Sequence, residues 1–263
     1  MLDPLRAAGG MLCAPEWPAR IALQRLLDRQ RDPVRTASGL PLRLVPAGVR
    51  RRSFEERYEA RLHLKGEMVF RDRDWHDLLN LLVWLTFPRA KVALNARHFE
   101  ALAAQRAAGM ANRGPTQDAL TLFDEGGVIV AACDDELRGL LREWRWKELF
   151  WRNRDRLNAG MRFILFGHAL YEKALQPFIG ITGRGVVLEV EPSLLERPVD
   201  EQIAVLDAKL AAYLSDSRNL TASRDLAVVP VLGVPGWHPE NAREAFYDDT
   251  DYFRPGRVRE KRS

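Results

Sequence analysis

The sequence predicts an α+β, predominantly helical protein in which buried helices are joined to a β-hairpin and a long irregular C-terminal segment. Three observations predict it. Residues 75–98 read as two helical segments hinged at Phe87-Pro88, the first apolar almost all round and therefore buried. Short apolar runs on either side of Asp124-Glu125-Gly126-Gly127 carry a hairpin signal. From Pro230 onward, proline and aromatic residues recur without a helical period.

The elements follow in chain order. Pro15-Glu16-Trp17-Pro18 leads into a helix over 19–30, with Ile21, Leu23, Leu26 and Leu27 on its apolar side. Residues 31–52, rich in Pro, Gly and Arg, read as an irregular arm, so 1–52 is expected as an N-terminal helix and arm and 53–263 as a single globular domain. Phe54, Tyr58 and Leu62 give helical spacing over 53–66. Asp74 is placed to cap the buried helix, with Asp77 at the third helical position as in a capping box. Pro88 breaks that helix, since proline lacks a backbone donor and clashes with the preceding turn, and a second helix runs to about Ala108. Leu120–Phe123 and Val128–Val130 are the expected hairpin strands. A long helix from Asp134 or Asp135 to Asn153 follows, then a helix over 159–175, a strand over 185–191 and a helix over 199–214.

Composition bounds the function. The chain of 263 residues, 46% hydrophobic and 29% charged, is long enough for a sizeable core. Its 34 arginines and six lysines nearly balance 36 acids, leaving a net charge of +4, so arginine excess alone does not indicate a polyanion partner. Trp144, Trp146, Phe150 and Trp151 interleave with arginines, a pattern that stacks bases in nucleic-acid binders. Amphipathic periodicity explains most of it, with Trp144 and Trp151 buried and the arginines pairing with Glu143, Glu148 and Asp155, so nucleic acid is not the expected partner. Cys13 and Cys133 form no thiol-metal or disulfide framework. No convincing signal peptide and no apolar run of bilayer length is present, so a cytoplasmic protein with no membrane contact is expected. GxSxG, GxGxxG and GxxxxGK[ST] motifs are absent.

Polar residues on the dry helices are the candidate site. His76, Asp77 and Asn80 share one turn, and Lys91, Asn95 and His98 form a stripe at spacings of four and three. Buried polar groups need partners, so the two stripes point to a polar site within the core. His168 and Glu172, four apart, can offer an imidazole and a carboxylate to one metal, and Gly167 admits a close approach by backbone or ligand. A helix-internal hydrogen bond accounts for the same spacing, and both readings stay open. The expected metal ligands are His76, His98, His168 and Glu172, with zinc or manganese suited to the donor set. Asp77 or Asp118 is the expected general base or orienting carboxylate, although Asp77 also has a capping role and Asp124-Glu125 reads first as turn chemistry. Lys91 and Arg113 are candidates to bind an anionic substrate, and Asn80 and Asn95 to position it.

The chain resembles a family of uncharacterised bacterial proteins, domain of unknown function 3025. The likeness runs through WHDxxN from Trp75, FPxxKxxLNxxH from Phe87, DALTLFDExG from Asp118, FGHALxEK from Phe166, LGxPGW from Leu232 and FYDD from Phe246. It covers about Tyr58 to Pro255, apart from 191–225, and implies a bacterial origin and one family-wide domain. It carries no activity. From the residues themselves the expectation is a metal-assisted hydrolase acting on a small anionic substrate. A non-catalytic binding or scaffold protein with a structural polar network is the alternative, and a nucleic-acid-binding protein a weaker one.

Overall fold

Trp17-Pro18-Ala19 opens helix α1 (Arg20–Asp28), whose Leu23 and Leu27 are buried, in the computed structural model, which describes residues 1–6, 8–10, 16–30, 32–48 and 53–256. Cys13 and the parts of the expected arm at 31 and 49–52 lie outside those residues. Within the arm, Arg43–Pro46 is strand β1 rather than irregular chain. It pairs in parallel with β2 (Glu67–Phe70), and between them runs α2 (Tyr58–Lys65). A short 3-10 turn at Phe54–Glu56 replaces the first part of the helix expected over 53–66. Leu5, Leu23, Leu27, Val34 and Leu42 join the same hydrophobic cluster as the later helices.

The buried helix forms as its sequence dictates. α3 (Trp75–Thr86) begins where Asp74 accepts the Asp77 N–H at 3.1 Å, satisfying an orphan donor of the first turn. Pro88 then starts α4 (Pro88–Ala107) at a position where its missing N–H costs nothing. No local side chain caps α4; the Asp207 carboxylate reaches across from a distant helix and accepts Arg89 N–H at 3.1 Å and Ala90 N–H at 2.8 Å. Burial pushes the Asp207 carboxyl up against the opposing pull of those N–H groups. Replacing Asp207 by Ala strands buried donors, so urea unfolding should show a loss on the order of 1–3 kcal/mol. A variant as stable as the parent would show that the cap contributes nothing.

The expected hairpin is absent. Residues 115–126 form helix α5 (Pro115–Gly126), and only β3 (Gly127–Ala132) follows as a strand. Ala119, Leu120 and Phe123 fall on one buried helical face, a pattern that a segment as short as Leu120-Thr121-Leu122-Phe123 cannot distinguish from a strand. The glycines were expected to supply a turn, but Gly127 has φ −66° and simply starts the strand. Every residue of β3 is buried, as befits a central strand covered on both faces.

The expected long helix is also divided. α6 (Asp135–Arg142) is capped by Asp134, and Trp144 then takes a left-handed φ of 57° that stops helical propagation. A π-helical turn at Glu148–Arg152 leads into α7 (Arg154–Gly160). This break changes the helical phase: Trp146 is the buried indole, donating to the Arg254 carbonyl at 2.8 Å, while Trp144 and Trp151 are only half-buried. Arg145 and Arg152 pair with Glu148, Arg145 also approaches Glu143, and Arg156 pairs with Asp134 and Glu136 rather than Asp155.

Residues expected as one helix over 159–175 are strand β4 (Met161–Leu165) followed by α8 (His168–Leu175). β5 (Thr182–Glu189), α9 (Pro192–Leu195), α10 (Val199–Ser215) and β6 (Ala227–Pro230) complete the elements before the tail. The four-stranded sheet has the order β4-β3-β5-β6, with β3 parallel to β5 and the outer pairs antiparallel. Helices α5, α6, α7 and α10 pack against strands of this sheet, giving the predominantly helical α+β architecture that the sequence predicts. The tail from Pro230 is a series of 3-10 turns held by Asn241, Tyr247 and Tyr252. No helix among the described residues is long and apolar enough to cross a membrane.

Candidate metal centre

Two glycines bring the site together. The backbone at Gly167 lies so close to Glu125 and Gly127 that a Cβ there would run into the Glu125 carbonyl and the Gly127 nitrogen. Phe166 and Gly167 both donate their N–H groups to the Gly127 carbonyl at 2.9 Å. The close approach expected at Gly167 is thus made by backbone. Its consequence is that the first residue of α8, His168, stands beside the C-terminal end of α5, where Glu125 lies.

α3 supplies the third member. His76 Nε2 is 3.1 Å from His168 Nε2, and each is 3.7 Å from the same oxygen, Glu125 Oε2. A triangle with those edges has a circumscribed radius of about 2.0 Å, which matches Zn–N and Zn–O bonds of roughly 2.0–2.2 Å. A tetrahedral ion with such bonds spaces its ligands roughly 3.3 Å apart, inside the observed range. His168 is buried, whereas His76 and Glu125 are half-exposed, so the trio opens toward solvent on one side.

Behind His76 stands Asp77. Its Oδ1 is 3.2 Å from His76 Nδ1, so the Nδ1–H donates to the carboxylate and Nε2 is directed at the trio. Arg71 holds Asp77 in turn, through its backbone N–H at 2.7 Å and a two-pronged guanidinium contact at 2.9 and 2.6 Å. The capping box expected at Asp77 does not form: Asp74 alone caps the helix, and the Asp77 carboxylate instead bridges Arg71 and His76.

The protonation pattern follows from these contacts. The Asp77 hydrogen bond, then Glu125, pushes His76 up to about 10. Burial lowers His168 to about 4, against the attraction of Asp124. His76 is thus an imidazolium that donates from Nε2 to a neutral His168. That neutral ring must carry its proton on Nδ1, a buried atom with no partner among the described residues. Burial alone would raise Asp77, but His76 and Arg71 hold it well below the usual carboxylate range. The His76 contact lowers Glu125.

The remaining expected residues fall into a second, inner cluster. Lys91 is buried in an ion pair with Asp124 and donates to Asn80 Oδ1 at 3.0 Å; Asn80 in turn donates to the Tyr58 hydroxyl at 2.8 Å. Burial would raise Asp124, but Lys91, His168 and His98 together lower it. Asn95 donates to Glu59 Oε2 at 2.6 Å, and His98, Glu59 and Asp124 converge on one small cavity. Lys91 and Asn80 therefore serve a closed network, a geometry that presents neither to an exposed anion. His98 stands with this inner group, apart from the trio.

Glu172, Asp118 and Arg113 stand outside both clusters. Glu172 is exposed one turn along α8 and acts electrostatically on Arg71. Side chains lean toward a helix N-terminus, so His168 in the first turn reaches past the helix end while Glu172 stays on its outer wall. Asp118 was expected at a strand entrance; it is exposed in the first turn of α5, seven residues or roughly 10 Å along the axis from Glu125. Arg113 is exposed just before that helix.

Glu125 is the member of the trio that sequence reasoning passed over. A signal was present once 115–126 is read as helix. Asp124 and Glu125 then occupy the last turn, where acidic side chains oppose the helix dipole and need a compensating partner. The larger cavities lie elsewhere, about 570 Å³ between α1 and Asp72-Arg73 and about 570 Å³ beside Cys133 and Arg156.

Fold and site together define a helical α+β protein carrying a two-histidine, one-carboxylate cluster. The chain belongs to the family described as Protein of unknown function (DUF3025), which it matches over residues 42–257. No curated protein and no solved structure matches it.

Proposed function

We propose that the protein is a metal-dependent hydrolase acting on a small anionic substrate, with His76, His168 and Glu125 as the ligands of one divalent ion such as zinc or manganese. The observation that carries this reading is the triangle of ligand atoms, whose radius equals a metal–ligand bond length. Asp77, fixed by Arg71, orients His76 as a carboxylate orients a metal-bound imidazole. Two histidines and one glutamate also make up known catalytic zinc sites that keep a further position open. An ion in such a site acidifies water toward neutral pKa and polarises the bond under attack. With one carboxylate ligand, a divalent ion and its direct ligands together keep a net positive charge, which favours an anionic substrate group bound at the ion itself. The Asp124–Lys91–Asn80–Tyr58 chain supports the accompanying structural reading, an inner network that specifies the core.

The test is metal content of untagged protein, with variants. The wild type should hold one zinc or manganese per chain. His168→Ala and Glu125→Gln should lose it, Glu172→Ala should keep it, and Asp77→Asn should weaken binding roughly 10–100-fold. Because metal-free His76 is protonated at neutral pH, binding should displace a proton, and affinity should rise with pH toward about 10. Calorimetry in buffers of different ionisation enthalpy reads that proton directly. No bound ion, or equal content in all variants, would sink the proposal.

A further inference from the structure

The inner cluster takes a different occupant from the outer one. Its cavity has a volume of about 10 Å³, and its lining includes Tyr58, Glu59, Lys91, Asn95, His98 and Asp124. One water-sized sphere fits such a space. Besides the indole Nε1 of Trp84, two buried atoms of its lining have no hydrogen-bond partner among the described residues: His98 Nε2 and Asn95 Oδ1, on residues 7% and 3% exposed. Leaving both unmet would cost on the order of 1–3 kcal/mol each. The lining is rich in acceptors. Glu59 receives Asn95 Nδ2, Asp124 receives Lys91, and Asn95 Oδ1 receives no donor from the described residues.

Spacing separates the two possible occupants. Glu59, His98 and Asp124 each bring one ligand atom within 4.8 Å of the others, yet His98 makes no ion pair at 4.0 Å or less with either acid. Two edges longer than that are too wide for a small ion with bonds of roughly 2.0–2.1 Å, which needs edges near 3.3 Å. They suit a molecule hydrogen-bonded at roughly 2.8 Å, whose tetrahedral partners stand roughly 4.6 Å apart. Charge agrees with size, because the Lys91 ammonium already sits on Asp124 and would repel a second cation. We infer that this chamber is a binding site for a single buried water molecule, which bridges His98 and Asn95 to the acidic wall, and that the protein is mononuclear. The statement of mononuclearity rests on the proposed metal site; the water does not.

The experiment is a high-resolution crystal structure of the full chain soaked in zinc, with data at the zinc edge. A peak without anomalous signal should lie roughly 2.7–3.2 Å from His98 Nε2 and Asn95 Oδ1. An anomalous peak about 2.0–2.2 Å from His98 Nε2 would show a second metal instead, and a chamber without density would show it dry; either overturns the inference. In solution, wild type and His98→Gln should both hold one zinc, and His168→Ala none. Two zincs in the wild type, one of them lost in His98→Gln, also overturns it. A wild type that binds no zinc removes the proposed function, while the density in the chamber still decides the water.

Discussion

Lys91→Met should destabilise the protein by roughly 3–5 kcal/mol, because it leaves the Asp124 carboxylate buried without its counter-charge. Both side chains are almost wholly enclosed, with Lys91 3% and Asp124 9% exposed, so water cannot replace the missing ammonium. Lys91 also holds Asn80 and lies 5.4 Å from the centre of the Trp84 ring, contacts that methionine keeps only in part. Adding Asp124→Asn to Lys91→Met should recover much of the loss, since the stranded charge is then gone. A double-mutant cycle by urea unfolding measures that coupling directly. A single variant within 1 kcal/mol of the parent would mean that Asp124 finds relief elsewhere, for example by taking a proton.

Gly167→Ala should damage both the fold and the site. The added methyl meets the Glu125 carbonyl and the Gly127 nitrogen, and neither is a flexible side-chain end that can swing away. Overpacking of this kind costs roughly 1–3 kcal/mol or more. The backbone must open between α5 and α8, which moves Glu125 away from His168. Metal affinity should therefore fall roughly 10–100-fold, as when a ligand's support is lost. Thermal unfolding and metal titration of the same preparation read the two effects. Native metal affinity in a destabilised variant would show that the trio does not depend on this junction.

Part of this was legible from local pattern. Asp74 caps α3, Pro88 opens α4, and Val128–Val130 lies in a buried strand, because capping chemistry, proline geometry and apolar runs act over a few residues. Histidines on apolar helices were expected to converge, and His76 and His168 do, but the same reasoning placed His98 with them, whereas it stands with Glu59 and Asp124. Other segments resisted reading. Leu120–Phe123 and Met161–Leu165, apolar except for Thr121 and Arg162, are segments of four and five residues, too short for a period to separate helix from strand. The Trp144 turn broke a helix that amphipathic spacing alone would continue.

By itself, then, the sequence determined the predominantly helical class, the buried α3–α4 pair, and the presence of polar groups within them that demand partners. Those properties depend on periodicity and on the cost of burying unpaired groups, both local. Only the tertiary structure decided which carboxylate joins the two histidines and which residues form the inner chamber. Glu172 had the right spacing on one helix, but Glu125 has the right position, because Gly167 lets two segments distant in sequence touch through their backbones. A contact of that kind leaves no period in the chain; it follows from how α5, β3 and α8 pack together.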